Sequence, residues 1–431
     1  MTRFDPSGPL RGSLRPPADK SISHRAALIA AMGEGETEIR GYLDAADTRS
    51  TLGAVEALGA EVENADPARI ASELRICGVG LRDAGPASID VGNAGTLLRL
   101  LPGWLAGQVG KSWTLDGDES IRRRPVDRIA EPLRRMGADL SAREERLPPL
   151  EIRGAELRGI TYEMPIASAQ VKSCLLFAGL LAEGETRVVE PLPSRDHTER
   201  MLKAAGAEVS REGLVVTVQP AERLEPNLIA VPADVSSAAF FVAAALLVPG
   251  SEVLLEGVGV NQTRTGVLTI LERMGADVAE SELTGEYGGE PTANLQVRSA
   301  PLQATAVEGA EIPLAIDELP LIALAACFAE GTTTIRDAEE LRRKESDRIE
   351  TVTAALRALG GKVEPTADGM VIEGSGGLRG GTIDSHGDHR IAMLGAVAGL
   401  ASAEGVEVRG MDAAAVSYPA FERDLSSLLG G

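Results

Sequence analysis

The chain predicts an α/β protein of two similar domains, each assembled from three copies of one unit. Three observations carry that expectation. First, a glycine that ends an amphipathic pattern and opens a β-rich run returns at Gly59, Gly137, Gly206, Gly275, Gly360 and Gly430, 69 to 85 residues apart in a chain of 431. Second, runs of small apolar residues lead into another glycine set, Gly35, Gly110, Gly184, Gly250, Gly331 and Gly405. Third, the two helical patterns differ in kind. Arg128-Ile129-Ala130-Glu131-Pro132-Leu133-Arg134-Arg135-Met136 has an apolar and a charged face, whereas Phe240 to Leu247 and Leu319 to Ala326 are apolar all round. A helix without a polar face has to be buried on every side, so central helices walled by sheets are expected, with the amphipathic helices facing water.

In chain order, the apolar helices are expected around Ala26–Met32, before Gly110, before Gly184, at Phe240–Leu247, at Leu319–Ala326 and before Gly405. Each glycine that follows a helix is expected at the left-handed C′ position, where a side chain is disfavoured. The runs beyond them, such as Thr332-Thr333-Thr334-Ile335 and Val253-Leu254-Leu255, are rich in β-branched and aliphatic residues and read as strands. Usual domain size divides six copies into two sets of three. The stretches near Leu14-Arg15-Pro16-Pro17 and Glu225-Pro226-Asn227 read as crossings between domains. The expected division is residues 1–16 with 230–431, and 17–229. A tandem solenoid would have shorter repeats that resemble one another in sequence.

The formal charge of −21, from 43 basic and 64 acidic residues, argues against a nucleic-acid or anionic-membrane surface, and 3% aromatic residues argues against base stacking. Cys77, Cys174 and Cys327 sit singly among apolar residues, which suits buried thiols in a reducing compartment. Met1 to Pro6 lacks the apolar core of a signal peptide, and the longest apolar run, Ala238 to Val248, is too short to span a bilayer. A cytoplasmic location is expected.

Polar residues gather immediately before each apolar helix: Asp19-Lys20-Ser21-Ile22-Ser23-His24-Arg25, Gly92-Asn93-Ala94-Gly95-Thr96, Ser168-Ala169-Gln170-Val171-Lys172, Asp234-Val235-Ser236-Ser237, Asp317-Glu318 and Asp388-His389-Arg390. A helix N-terminus presents free N–H groups and partial positive charge, a natural place for an anion. Six such ends aimed into one cleft would bind a multiply charged ligand. Ordinary capping explains Asp234, Ser236 and Ser237. It does not explain Lys20, Arg25, Lys172, His389 and Arg390, because a cation there opposes the helix dipole; an anion from outside would neutralise both. Arg122, Arg123, Arg342 and Arg343 read as solvated charge. Lys344 and Arg348, one helical turn apart with Glu345 beside them, fit either a site or an exposed network, and Arg195-Asp196-His197-Thr198-Glu199 is open in the same way.

Lys20-Ser21-x-x-x-Arg25, Asn93-Ala94-Gly95-Thr96, Arg124-Pro125, Ser168-Ala169-Gln170, Asp317-Glu318, Lys344-Glu345-Ser346-Asp347-Arg348 and Asp388-His389-Arg390, in this order along the chain, resemble the 5-enolpyruvylshikimate-3-phosphate synthase family. The resemblance implies an enolpyruvyl transferase inside-out barrel fold: two domains, each of three βαβαββ units around buried central helices. It implies transfer of the enolpyruvyl group of phosphoenolpyruvate to the 5-hydroxyl of shikimate 3-phosphate, with release of phosphate, in the shikimate pathway to chorismate and the aromatic amino acids. By the same resemblance Lys20, Ser21, Arg25, Ser168, Gln170, Arg195, Asp317 and Lys344 would contact shikimate 3-phosphate. Lys20, Gly95, Arg124, Gln170, Arg348 and Arg390 would contact phosphoenolpyruvate. Asp317 would take the proton of the attacking hydroxyl, and Glu345 or Lys20 would serve the protonation of the methylene carbon. The chain departs from the family pattern at Val416, which stands before Ser417-Tyr418-Pro419 where many members have lysine.

The nearest alternative is the sister enzyme acting on UDP-N-acetylglucosamine. It typically uses a loop cysteine, and none of Cys77, Cys174 or Cys327 lies in a comparable loop. A non-catalytic anion-binding module would not place Asp317 and Glu345 beside a site for anions. The His and Cys spacing suggests no metal site, and no Walker-type loop appears, so no cofactor is expected. The expected partners are two small-molecule substrates, without nucleic acid or membrane, on a monomeric enzyme.

Overall fold

The computed structural model describes residues 1–64, 73–282 and 289–429, so Gly430, the last glycine of the repeat, lies outside the described residues. Contacts divide the chain into two units. The first comprises Met1–Pro17, Ala233–Thr284 and Pro291–Gly431, and the second Ala18–Pro232 with Gly285–Glu290.

One copy shows the plan in full. Strand Ala87–Asp90, helix Gly95–Ala106, strand Ser112–Asp116, helix Asp127–Arg135, then strands Asp139–Arg143 and Leu147–Arg153 make a βαβαββ unit. Its first two strands run parallel, Ala87 facing Trp113, and the intervening helix supplies the crossover that a parallel pair requires. The remaining pairs are antiparallel, and Leu147–Arg153 lies inside the sheet between Ser112–Asp116 and Asp139–Arg143. The same plan, with the first strand parallel to the second, recurs from Thr161–Glu163 to Val215–Val218 and from Ala306–Val307 to Met370–Glu373.

The other copies borrow strands from distant chain. Leu228–Ala230 pairs parallel with Glu34–Arg40, and Arg11–Leu14 pairs parallel with Glu252–Gly259. Thr2–Phe4 closes a three-stranded sheet with Val406–Arg409 and Gly381–Asp384. The N-terminal strands are therefore built into the first unit.

The apolar helices form the cores. All residues of Val235–Leu247 are buried, as are all but Phe328 of Leu319–Phe328 and everything from Ile22 to Met32 in Lys20–Met32. Small residues set the spacing: a Cβ on Gly103 would lie 2.0 Å from the carbonyl oxygen of Cys174 on the neighbouring Ala169–Gly179 helix. The amphipathic helices bury one stripe each, Ile129, Ala130, Pro132 and Leu133 in Asp127–Arg135.

Three local expectations need correction. Gly59 and Gly137 occupy the C′ position after amphipathic helices, with φ of +105° and +103°, but the glycines after the apolar helices do not. Lys20–Met32 ends on an extended Gly33, and Gly35, at φ +82°, is already the second residue of strand Glu34–Arg40. Cys77 is exposed, because alternation along Glu73–Val79 sends Leu74 and Ile76 inward and Cys77 outward; Cys174 and Cys327 are buried. Lys344 and Arg348 are not neighbours on one helix, since a 3-10 turn ends at Arg343 and the next helix starts at Arg348. None of the described helices is long and apolar enough to cross a membrane.

Candidate active site

Four of the six helix starts are capped from within. Asp19 accepts from Ile22 N, Ser168 from Val171 N, Asp234 from Ser236 N and Asp388 from Arg390 N. The dipole at these helices thus already has an oxygen acceptor from the chain itself, three of them carboxylates.

In the second unit, Arg25 is buried, and each of its guanidinium nitrogens has a neutral partner. Nε donates to Thr198 Oγ1 at 2.7 Å, Nη1 to the Ser21 carbonyl at 2.9 Å and Nη2 to Ser173 Oγ at 2.9 Å. Burial lowers its pKa to about 10, still far above neutrality; the charges of Glu199 and Asp19 act against that lowering and the charge of Arg195 acts with it. Arg25 and Arg195 are thus near enough to act on one another, among carboxylates that partly offset them. Lys20 forms an ion pair with Asp47, on the first turn of helix Ala46–Ala57. Burial would raise the Asp47 carboxyl, but His24 and Lys20 together hold it well below the usual range. His24 is buried against Thr51 Oγ1 at 2.6 Å, and burial lowers its pKa, so the ring is neutral.

Gln170 is fixed from two sides: Arg99 Nη1 donates to its Oε1 at 3.1 Å, and its Nε2 donates to Thr96 Oγ1 at 3.2 Å. A Cβ on Gly95 would meet Arg124 Nη1 at 2.7 Å, so the missing side chain leaves that guanidinium its place. Gly95, Arg124, Arg99 and Gln170 thus form one group. Arg122 pairs with Asp116 at 2.7 Å on the surface, and Arg123 pairs with Glu119, also exposed.

In the first unit, Asp317 Oδ1 lies 3.3 Å from both Lys344 Nζ and Arg348 Nη1. Arg348 is buried and also meets Asp388 at 2.9 Å and Glu345 at 2.6 Å; burial would lower its pKa, but the carboxylates Glu345, Asp388 and Asp317 raise it. For Glu345 and Asp388 burial is the largest single influence and acts upward, but Arg348, the neighbouring His389 and hydrogen bonds together outweigh it, and both carboxyls sit below their ordinary values. Arg390 Nη1 lies 3.5 Å from the buried Glu318, which also accepts from Ser236. Arg342 is anchored by Asp347 at 2.7 Å and by two backbone carbonyls, and Arg343 pairs with Glu339 at 2.9 Å.

The cations expected to await an outside anion are largely met from within: besides Lys20 with Asp47 and Arg390 near Glu318, two more are accounted for. Lys172 is fully buried and lies 2.7 Å from Glu199 and 3.1 Å from Glu190. His389 is lowered to about 4 by burial and then by Arg390, so it carries no charge at neutral pH. Val416, itself exposed, ends a 3-10 turn that buries Met411 and Ala414, and the buried Tyr418 beyond it donates its hydroxyl to Asp424 at 2.9 Å.

The residues that sequence reasoning missed are supports. Asp47, Arg99, Ser173 and Thr198 each hold a candidate residue in place. Two had a local signal: Arg99 stands one helical turn after Gly95, and Thr198 lies within the Arg195–Glu199 run. Among the described residues no cluster of His, Cys, Asp and Glu could hold a metal ion.

Fold and side chains together define a protein suited to small multiply anionic molecules, with carboxylates placed among the cations. The model of the EPSP synthase (3-phosphoshikimate 1-carboxyvinyltransferase) family matches residues 4–425. A 3-phosphoshikimate 1-carboxyvinyltransferase of Synechococcus sp. (strain JA-3-3Ab) is 50% identical over 431 residues, covering 99% of this chain and 96% of the relative. One from Gloeobacter violaceus is 51% identical over 424 residues, covering 98% and 97%. A solved EPSP synthase from Acinetobacter baumannii superposes with a TM-score of 0.90 at 42% identity, covering 99% of this chain and 97% of that one. The chain belongs to the EPSP synthase family.

Proposed function

We propose that the chain transfers the enolpyruvyl group of phosphoenolpyruvate to the 5-hydroxyl of shikimate 3-phosphate and releases phosphate. Beyond family membership, the observation that supports this reading best is Asp317, a carboxylate within ion-pair distance of both Lys344 and Arg348. These two ion pairs hold the Asp317 carboxylate in place, as the positioning of a general base requires.

In this reading Ser21, Arg25, Ser168, Gln170, Arg195 and Lys344 hold shikimate 3-phosphate, with Lys20 and Asp317 at its reacting side. Lys20, Gly95, Arg124, Gln170, Arg348 and Arg390 hold phosphoenolpyruvate. Asp317 accepts the 5-hydroxyl proton as the oxygen bonds to C2, while C3 gains a proton. Loss of phosphate and of one C3 proton then regenerates the double bond in the product. Glu345 is ionised in the free protein because of Arg348. A substrate carboxylate on Arg348 takes up part of that positive charge and raises Glu345, which prepares it to carry the C3 proton. Lys20 supports the same step through its charge. The enzyme works as a cytoplasmic monomer without a cofactor; the two buried cysteines remain thiols in such a compartment.

Phosphate release measured with phosphoenolpyruvate and either shikimate 3-phosphate or UDP-N-acetylglucosamine tests the reading. Turnover with the first acceptor, and a product heavier by the enolpyruvyl group, is expected. Turnover with the nucleotide sugar alone overturns it.

A further inference from the structure

Behind the substrate-binding candidates of the second unit lies a buried group of charges that the proposed chemistry does not use. Lys172, on helix Ala169–Gly179, has no exposed side-chain surface, and neither has Glu190, which follows strand Thr186–Val189. Lys172 Nζ lies 2.7 Å from Glu199 Oε1 and 3.1 Å from Glu190 Oε2, and donates to the Ser194 carbonyl at 3.4 Å. Glu190 Oε1 accepts from Ser194 N at 3.1 Å and from the Ser194 hydroxyl. Arg211 closes the group, 3.0 Å from Glu190 and 3.7 Å from Glu199.

Such a group is an inefficient way to stabilise a core, because desolvating the charges offsets most of their attraction and apolar residues often serve as well. Its geometry suits another task. Lys172 precedes Ser173 and Glu199 follows Thr198, and these two hydroxyls lie 2.6 Å apart and both receive Arg25. The Lys172–Glu199 pair therefore sets the distance between two helices at the level where Arg25 is held. Ser194, bonded to Glu190 and Lys172 through its amide, hydroxyl and carbonyl, directly precedes Arg195. All the polar atoms of Ser194 are thus committed to one buried pair.

We infer that Lys172 and Glu190 are positioning residues for shikimate 3-phosphate: through Ser194 they fix Arg195, and through the Lys172–Glu199 pair they fix the Ser173–Thr198 cradle of Arg25. This rests on the reading above in which Arg25 and Arg195 hold that substrate. Two bound cations with preset geometry bind without an ordering cost, and displacing a positioning group by about 1 Å can lose on the order of 100-fold in the effect it supports.

The test uses the full chain with Glu190→Gln, Ser194→Ala and Arg195→Ala, measuring the Kd of shikimate 3-phosphate by calorimetry, KM for each substrate, kcat and Tm. Glu190→Gln and Ser194→Ala are expected to weaken shikimate 3-phosphate roughly tenfold in Kd and KM. KM for phosphoenolpyruvate and kcat stay within about twofold, since the group touches no residue assigned to that substrate. Ser194→Ala removes one hydroxyl without leaving a charge unpaired, so it keeps the test alive where Glu190→Gln fails to fold. A lowered Tm with unchanged Kd in both variants makes the group merely structural and overturns the inference. So does an equal loss for both substrates. Where Arg195→Ala weakens shikimate 3-phosphate and the other two do not, positioning fails while the site assignment stands; where Arg195→Ala also leaves Kd unchanged, that assignment fails and takes the inference with it.

Discussion

The two units treat their buried arginines in opposite ways. Arg25 in the second unit is held by two hydroxyls and a carbonyl, all neutral, whereas Arg348 in the first is ringed by Asp317, Glu345 and Asp388. Neutral acceptors fix a guanidinium without a direct ion pair, so Arg25 keeps more of its attraction for an incoming anion than Arg348 does, even with Glu199 and Asp19 near enough to act on its charge. Carboxylates consume it, and in exchange Glu345 and Asp388 move below their ordinary values. Arg25 is therefore fitted to bind, and Arg348 to hold a set of carboxylates in chosen protonation states. One fold unit, repeated, has been given two electrostatic tasks.

The sharpest break of this comparison is Asp317→Asn. The amide keeps the shape and loses the base, so kcat is expected to fall by roughly 100- to 10,000-fold while KM for shikimate 3-phosphate changes little. A near-normal kcat in steady-state assays contradicts the division, because it would leave the first unit's carboxylates without a chemical role. Arg25→Ala comes next and should do the reverse. Loss of a charge-assisted contact is expected to raise KM for shikimate 3-phosphate by roughly 10- to 100-fold, with the larger part of the effect on binding. A change in kcat alone would place Arg25 among the groups that act only in the transition state.

The sequence made the scaffold legible because the scaffold is periodic. All-apolar helices such as Val235–Leu247 could only be interior, and glycines such as Gly59 and Gly137 announced the helix ends. Borrowed strands were harder, since Thr2–Phe4 gives no local sign that it pairs with Val406–Arg409. The cationic residues were visible, but their partners were not. Lys172 and Arg25 look alike from the sequence, each a cation near the start of an apolar helix. Only the fold shows that Glu190 and Glu199 neutralise one, while hydroxyls support the other. Lys344 and Arg348 do converge on Asp317, though across a helix start rather than along one helical face. Pairing of buried charges depends on residues far apart in the chain, and periodicity carries no information about it.

The smallest effect sharpens the comparison through one buried histidine of each unit. His389 in the first unit stands among Glu345, Arg348, Asp388 and Arg390, and its pKa is lowered to about 4; burial is the largest cause and Arg390 the next. His24 in the second is lowered by burial as well, although Asp47 acts against it. In the unfolded chain both titrate near 6.5, so above that value neither state takes up a proton and the rings leave stability unchanged. As the pH falls below about 6.5 the unfolded chain gains protons that the folded one refuses, and stability declines until the folded pKa is reached. For His389 that window runs from about 6.5 to about 4, at up to about 1.4 kcal/mol for each pH unit. The depressed carboxyls Glu345 and Asp388 contribute stability that is lost only at lower pH, as the solution passes through their own values. Urea titrations at pH 7 and pH 5 separate the two. His389→Gln is expected to flatten the decline between those pH values, with the acid limb below pH 4 retained. His24→Gln should flatten it as well, since burial lowers His24 in the same direction. If neither substitution changes the difference between pH 7 and pH 5, the rings are not neutral in the folded protein, and the contrast between a charge-tuning unit and a binding unit has to be drawn without them.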